Sequence, residues 1–76
     1  MIVANPAREA YTFKVAPEYT IAYHYDNRGN VTCLDEWSGR TVEDFASGMA
    51  GRGFSYTVET YELSGGRKFT EHHWTR

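Results

Sequence analysis

Tyr19-Thr20-Ile21-Ala22-Tyr23-His24-Tyr25-Asp26-Asn27-Arg28-Gly29-Asn30-Val31-Thr32-Cys33-Leu34 is the stretch that decides how this chain folds. Residues 19–25 alternate, with Tyr19, Ile21, Tyr23 and Tyr25 on one side and Thr20, Ala22 and His24 on the other, which is the period of a strand. Asp26 to Asn30 interrupts the alternation with turn-forming residues. Gly29 can take the left-handed backbone that closes a three-residue hairpin loop. A loop of Asn27-Arg28-Gly29 sets Tyr25 opposite Val31 and Tyr23 opposite Cys33, and by extension Tyr19 opposite Trp37. A two-residue loop would instead set Tyr25 against Thr32 and mix the faces. The tyrosine face, with Cys33 on it, is expected to face the helix.

Working outward, Tyr11, Phe13 and Val15 alternate with Thr12 and Lys14 as a preceding strand, ended by Ala16-Pro17-Glu18. Residues 1–9 read as a loosely held lead-in. Downstream of Ser38-Gly39-Arg40 the period becomes helical. Val42, Phe45, Ala46 and Met49 predict a helix over about 41–50, with Thr41 and Asp44 placed as a short capping box and Gly51 or Gly53 as the stop. Phe54-Ser55-Tyr56-Thr57-Val58 opens a further strand that continues to Leu63, and the last strand runs from Lys68 to Thr75. With Gly65-Gly66 as a two-residue loop, Leu63 pairs with Lys68, Tyr61 with Thr70, Glu59 with His72 and Thr57 with Trp74. That register puts Phe54, Tyr56, Val58 and Phe69 on the helix-facing side and Tyr61, Leu63, His72 and Trp74 on the other.

These elements make one α+β domain over residues 1–76: an antiparallel sheet of four to five strands with one short helix packed on one face, in the order βββαββ. A helix of about three turns shields only part of one face of such a sheet. Either a bulge near Glu59-Thr60 turns Tyr61 and Leu63 inward, or an aromatic patch stays exposed.

With 76 residues the chain buries only roughly 60% of its unfolded surface. Six Tyr, four Phe and two Trp supply large buried area per side chain and offset that shortage. The net charge of −2, with both signs scattered, gives little long-range attraction to phosphate backbones. Cys33 is the single cysteine, so no intramolecular disulfide forms, and a reducing cytoplasm is the expected location. No segment has the roughly 20 apolar residues of a membrane span, so no membrane partner is expected.

Chemistry is sparse. His72-His73 beside Glu71, with the distant His24, suggests a metal, but neighbours on a strand point to opposite faces. Neither a metal nor a cofactor is expected. Cys33 has no base beside it and is expected to be buried and inert. Asp35 and Glu36 diverge in the same way as the histidines. Gly48-Met49-Ala50-Gly51-Arg52-Gly53 is glycine-rich but follows a helix, whereas phosphate-cradling loops precede one. No catalytic residues are assigned, and the protein is expected not to be an enzyme; a small enzyme with a site shared between subunits is the second alternative.

The residue types best represented at binding hot spots, Tyr, Trp and Arg, point to a protein-interaction module. The expected partner-binding residues are Tyr61, His72 and Trp74, with Arg67 and Lys68 at the rim. The first alternative is a single-stranded nucleic-acid-binding sheet face using Tyr61 and Trp74 with Arg67, Lys68 and Arg76. No motif carries a resemblance to a family. Short single-domain chains without catalytic motifs are common among accessory proteins of phages and mobile elements, and the expected function is inhibition of a bacterial defence complex, in the anti-CRISPR manner, by steric occlusion. The partner would then be a protein or ribonucleoprotein complex in the host cytoplasm. A homodimer is left open.

Overall fold

The structure, a computed structural model, describes residues 8–76. Five strands and one α-helix form among them: β1 (Ala10–Val15), β2 (Thr20–Tyr25), β3 (Val31–Leu34), α1 (Val42–Met49), β4 (Ser55–Glu62) and β5 (Lys68–Thr75). All pairings are antiparallel, in the order β3-β2-β1-β5-β4. The βββαββ architecture is the one the periodicities predict. Because α1 carries the chain from one edge of the sheet to the other, β1 lies at its centre, between β2 and β5.

The first hairpin has the predicted register, with Tyr25 opposite Val31 and Tyr23 opposite Cys33. Gly29 takes φ +88° in a three-residue loop, and Asp26 N–H donates to Asn30 O at 3.0 Å. The Asp26 carboxylate accepts from the N–H groups of Arg28 and Asn30 at 2.8 and 2.9 Å, so the turn is held by its own side chain. The ladder stops at Ala22–Leu34. The expected Tyr19–Trp37 pair does not form, because Asp35–Trp37 winds into a 3₁₀ turn.

At α1 the Thr41 hydroxyl accepts from Asp44 N–H at 3.2 Å, and Phe45 and Met49 are buried. The helix covers the face of the sheet bearing Tyr11, Phe13, Ala22 and Trp74, since opposite residues in an antiparallel ladder share a face. Phe45 sits amid the aromatic rings, with centroids at 5.4 Å from Phe13, 5.0 Å from Trp37 and 5.2 Å from Trp74.

This arrangement corrects two expectations about the first hairpin. The small Ala22, not the tyrosines, faces α1, which leaves room for Phe45 against Phe13. Ile21, Tyr23 and Tyr25 lie on the opposite face, with an exposed Cys33 beside them. The Cys33 thiol donates to Asp35 Oδ1 at 3.2 Å, and this bond, with some desolvation and the nearby carboxylates, pushes its pKa up. Cys33 is thus not buried as expected, and the low reactivity expected of it rests on this electrostatic environment. Cys33 is expected to alkylate more slowly with iodoacetamide at neutral pH than a free cysteine, and Asp35→Asn to speed it. Faster reaction in the parent protein would refute this.

The second hairpin departs from the predicted register by one residue. The loop is three residues, Ser64–Gly66, closed by Leu63 N–H donating to Arg67 O at 2.7 Å, with Gly65 and Gly66 both at positive φ. Tyr61 therefore faces Phe69, Glu59 faces Glu71, Val58 faces His72 and Tyr56 faces Trp74. The ladder runs through Glu59 and Thr60 without a bulge, so Tyr61 and Leu63 stay exposed.

Glu9, expected within the lead-in, is held. Its carboxylate meets His24 Nε2 at 3.0 Å and Arg76 Nη2 at 2.7 Å, and Arg76 N–H donates to Glu9 O at 3.1 Å. Residues 1–7 of that lead-in lie outside the described residues.

These contacts predict the response to acid. Hydrogen bonds from Arg76 and then His24 hold the Glu9 carboxyl below its usual range, and hydrogen bonds from Asn30 and Arg28 do the same for Asp26. Desolvation, the largest cause, lowers His72 from its ordinary 6.5. All three groups bind protons less readily when folded, so each stabilises the fold above its unfolded pKa and loses that effect as pH falls. Melting temperature should decline first below about pH 6.5, through His72, and again below about pH 4, through Glu9 and Asp26. His72→Gln should remove the first decline. A melting temperature unchanged down to about pH 3 would contradict the assignment.

Candidate interaction surface

Alternation along each strand sends every second side chain to the face that α1 leaves uncovered. One half of this face is apolar and aromatic: Ile21, Tyr23 and Tyr25 from β2, with Val31, 55% exposed, and Cys33 from β3. Across the centre runs a polar row. Thr12, itself buried, bonds His73 Nδ1 at 3.1 Å, and His73 Nε2 meets Glu71 Oε1 at 3.3 Å. Glu59 stands opposite Glu71 and accepts from the Tyr61 hydroxyl. That hydrogen bond, before desolvation and the neighbouring carboxylates, raises the Tyr61 pKa and keeps it a neutral donor. Beyond lies Tyr61 stacked on Phe69 at 4.9 Å, with Lys14 Nζ 4.6 Å from the centre of the Phe69 ring.

The one-residue shift regroups the expected binding residues. Tyr61, 39% exposed, belongs to the uncovered face, while His72 and Trp74 belong to the helix side. Trp74 is only 6% exposed and packs on Phe45 and Tyr56, so it offers no accessible anchor. His72 Nδ1 bonds the Tyr56 hydroxyl at 2.7 Å. Arg67 pairs with Glu18 at 3.4 Å and Lys68 lies 3.9 Å from Glu62, both exposed at the hairpin end. The five residues thus do not converge, and the shared face expected for Tyr61, His72 and Trp74 is corrected by the register.

The same shift assembles a group that the sequence register keeps apart. Glu59, Glu71 and His73 each present a ligand atom within 4.8 Å of the others, a donor set of a kind that holds divalent metals. His72 and His73 do diverge, as strand neighbours must, and only His73 joins this set.

On the helix side, a cleft of about 290 Å³ opens between α1 and the β2–β3 hairpin, lined among others by Tyr11, His24, Trp37, Met49 and Arg52. His24 stacks on Tyr11 at 4.5 Å and is bonded to Glu9, which Arg76 already neutralises. The Glu9–His24–Arg76 contacts join the ends of β1, β2 and β5, a structural tie across the middle of the sheet.

The fold and surface define a small α+β domain with one sheet face under a helix and the other open. No family model, no curated protein and no solved structure matches the chain. Among the described residues, no helix is long and apolar enough to cross a membrane.

Proposed function

We propose that this domain is a non-enzymatic protein-interaction module that binds through its uncovered sheet face and acts by steric occlusion. The observation that carries this reading is the placement of Ile21, Tyr23, Tyr25, Val31, Tyr61 and Phe69 on the one face that α1 does not cover. Tyrosines supply rigid contact area with a polar tip, the character of binding hot spots. Glu71 on β5 and Glu59 on the edge strand β4 put paired carboxylates on this face that oppose a phosphate backbone, with Lys14 drawn over Phe69. This gives the single-stranded nucleic-acid alternative less support.

In its specific form the partner is a protein or ribonucleoprotein defence complex in a bacterial cytoplasm, inhibited in the anti-CRISPR manner by a phage-encoded chain. The test is interference by such a complex in cells expressing the domain, paired with capture of the complex on the purified protein. Val31→Asp and Tyr61→Ala, both at exposed positions, should abolish inhibition and capture with the melting temperature unchanged. Inhibition unaffected by both substitutions would overturn the face. Salt-sensitive retention of single-stranded oligonucleotides, with no protein captured, would favour the alternative.

A further inference from the structure

We propose that two copies of this chain pair through the outer edge of β4, antiparallel, to form one continuous ten-stranded sheet. The contact uses the edge of the sheet and not its uncovered face, so this proposal and the binding reading can fail separately.

The strand order leaves two edges, β3 and β4. β3 is four residues long and runs straight into the 3₁₀ turn at Asp35–Trp37. β4 is eight residues long and exposed throughout. Leu63 N–H bonds Arg67 O at the hairpin end, and antiparallel hydrogen bonding alternates from there. The N–H and C=O groups of Tyr61, Glu59, Thr57 and Ser55 therefore point towards β5. Those of Tyr56, Val58, Thr60 and Glu62 point outwards, and among the described residues nothing pairs with them.

Natural edge strands are commonly blunted by lysine, proline, bulges or short length. β4 has none of these: its ladder with β5 is continuous, and Tyr56, Thr57, Val58, Thr60 and Tyr61 favour a strand, with Glu59 and Glu62 its charged residues. The helix-side residues Tyr56 and Val58 are 51% and 50% exposed. The strand thus offers a row of backbone donors and acceptors beside an apolar strip.

The pattern fits a second copy of itself. A two-fold axis perpendicular to the sheet keeps both helices on one side and requires residues of the same face to meet. Centred on Val58, it sets Val58 against Val58 of the second copy, Tyr56 against Thr60, Thr57 against Glu59 and Ser55 against Tyr61. No acidic residue meets another. Centring one residue further along, on Glu59, sets Glu59 against Glu59, a like-charge pair that disfavours the shift. In the favoured register the Tyr56, Val58 and Thr60 backbones exchange hydrogen bonds across the axis, and the apolar strips join.

Sedimentation equilibrium of the full chain over a range of concentrations tests this. A concentration-dependent mass of two chains, in place of the single 8.7 kDa, is expected. Val58→Lys sets two ammonium groups against each other at the axis and should raise the dimer Kd at least about tenfold. Val58→Pro removes an outward N–H without touching the ladder to β5, and should do the same by another route if the lysine variant folds poorly. Thr57→Lys faces Glu59 of the second copy at two symmetric positions and should tighten the dimer by about threefold or more. A chain that stays monomeric, a dimer indifferent to folded Val58 variants, or one loosened by Thr57→Lys would overturn the proposal.

Discussion

Replacing Phe45 by Ala is expected to cost about 3–5 kcal/mol, enough to leave much of this small domain unfolded at room temperature. Phe45 is buried at the middle of α1 and touches rings from three directions: Phe13 on β1, Trp37 beyond β3 and Trp74 on β5. The cavity left by truncation could not collapse easily, because those neighbours are fixed on a paired sheet and only α1 could move inward. Denaturant unfolding of the variant measures the effect. A loss below about 1 kcal/mol would mean that α1 contributes little to the core.

Trp74→Ala should be comparably severe, again about 3–5 kcal/mol, with the melting temperature falling by more than about 10 °C. Ring centroids place Trp74 5.2 Å from Phe45 on α1 and 5.1 Å from Tyr56 on β4, so its removal loosens both elements at the same point. Partner binding, measured where the variant remains folded, should be kept. The opposite outcome, an unchanged melting temperature with binding lost, would return Trp74 to the surface that the two-residue loop implies.

That contrast shows where the sequence was legible. The β2–β3 register followed from one glycine and one alternation, since a two-residue loop mixed the faces. The helix followed from Val42, Phe45 and Met49 with Thr41 before them. Face assignment was harder, because β2 offers aromatic residues on the side that proves open and a lone Ala22 on the side that packs. Alternation says which residues share a side; only the bulk of Phe45 says that the helix needs the side with the smallest residue. At the second hairpin, the Gly65-Gly66 pair matched a two-residue turn by composition, yet both glycines serve a three-residue one. A cross-strand signal was available: the three-residue loop alone sets Tyr61 against Phe69 and Tyr56 against Trp74, two aromatic pairs in place of none. Missing it moved Trp74 to the wrong face and hid the meeting of Glu59, Glu71 and His73.

The strand order also governs how the chain reaches its structure. The β1–β2–β3 meander and the β4–β5 hairpin close over short turns, whereas β1 and β5, neighbours at the centre of the sheet, come from opposite ends of the chain. Bringing them together has the largest loop-closure cost. The docking of these two units along the Phe13–Phe45–Trp74 seam is therefore expected to be the slow event in folding. Substitutions on that seam should retard folding, while those in β3 or at the outer edge of β4 should mainly hasten unfolding.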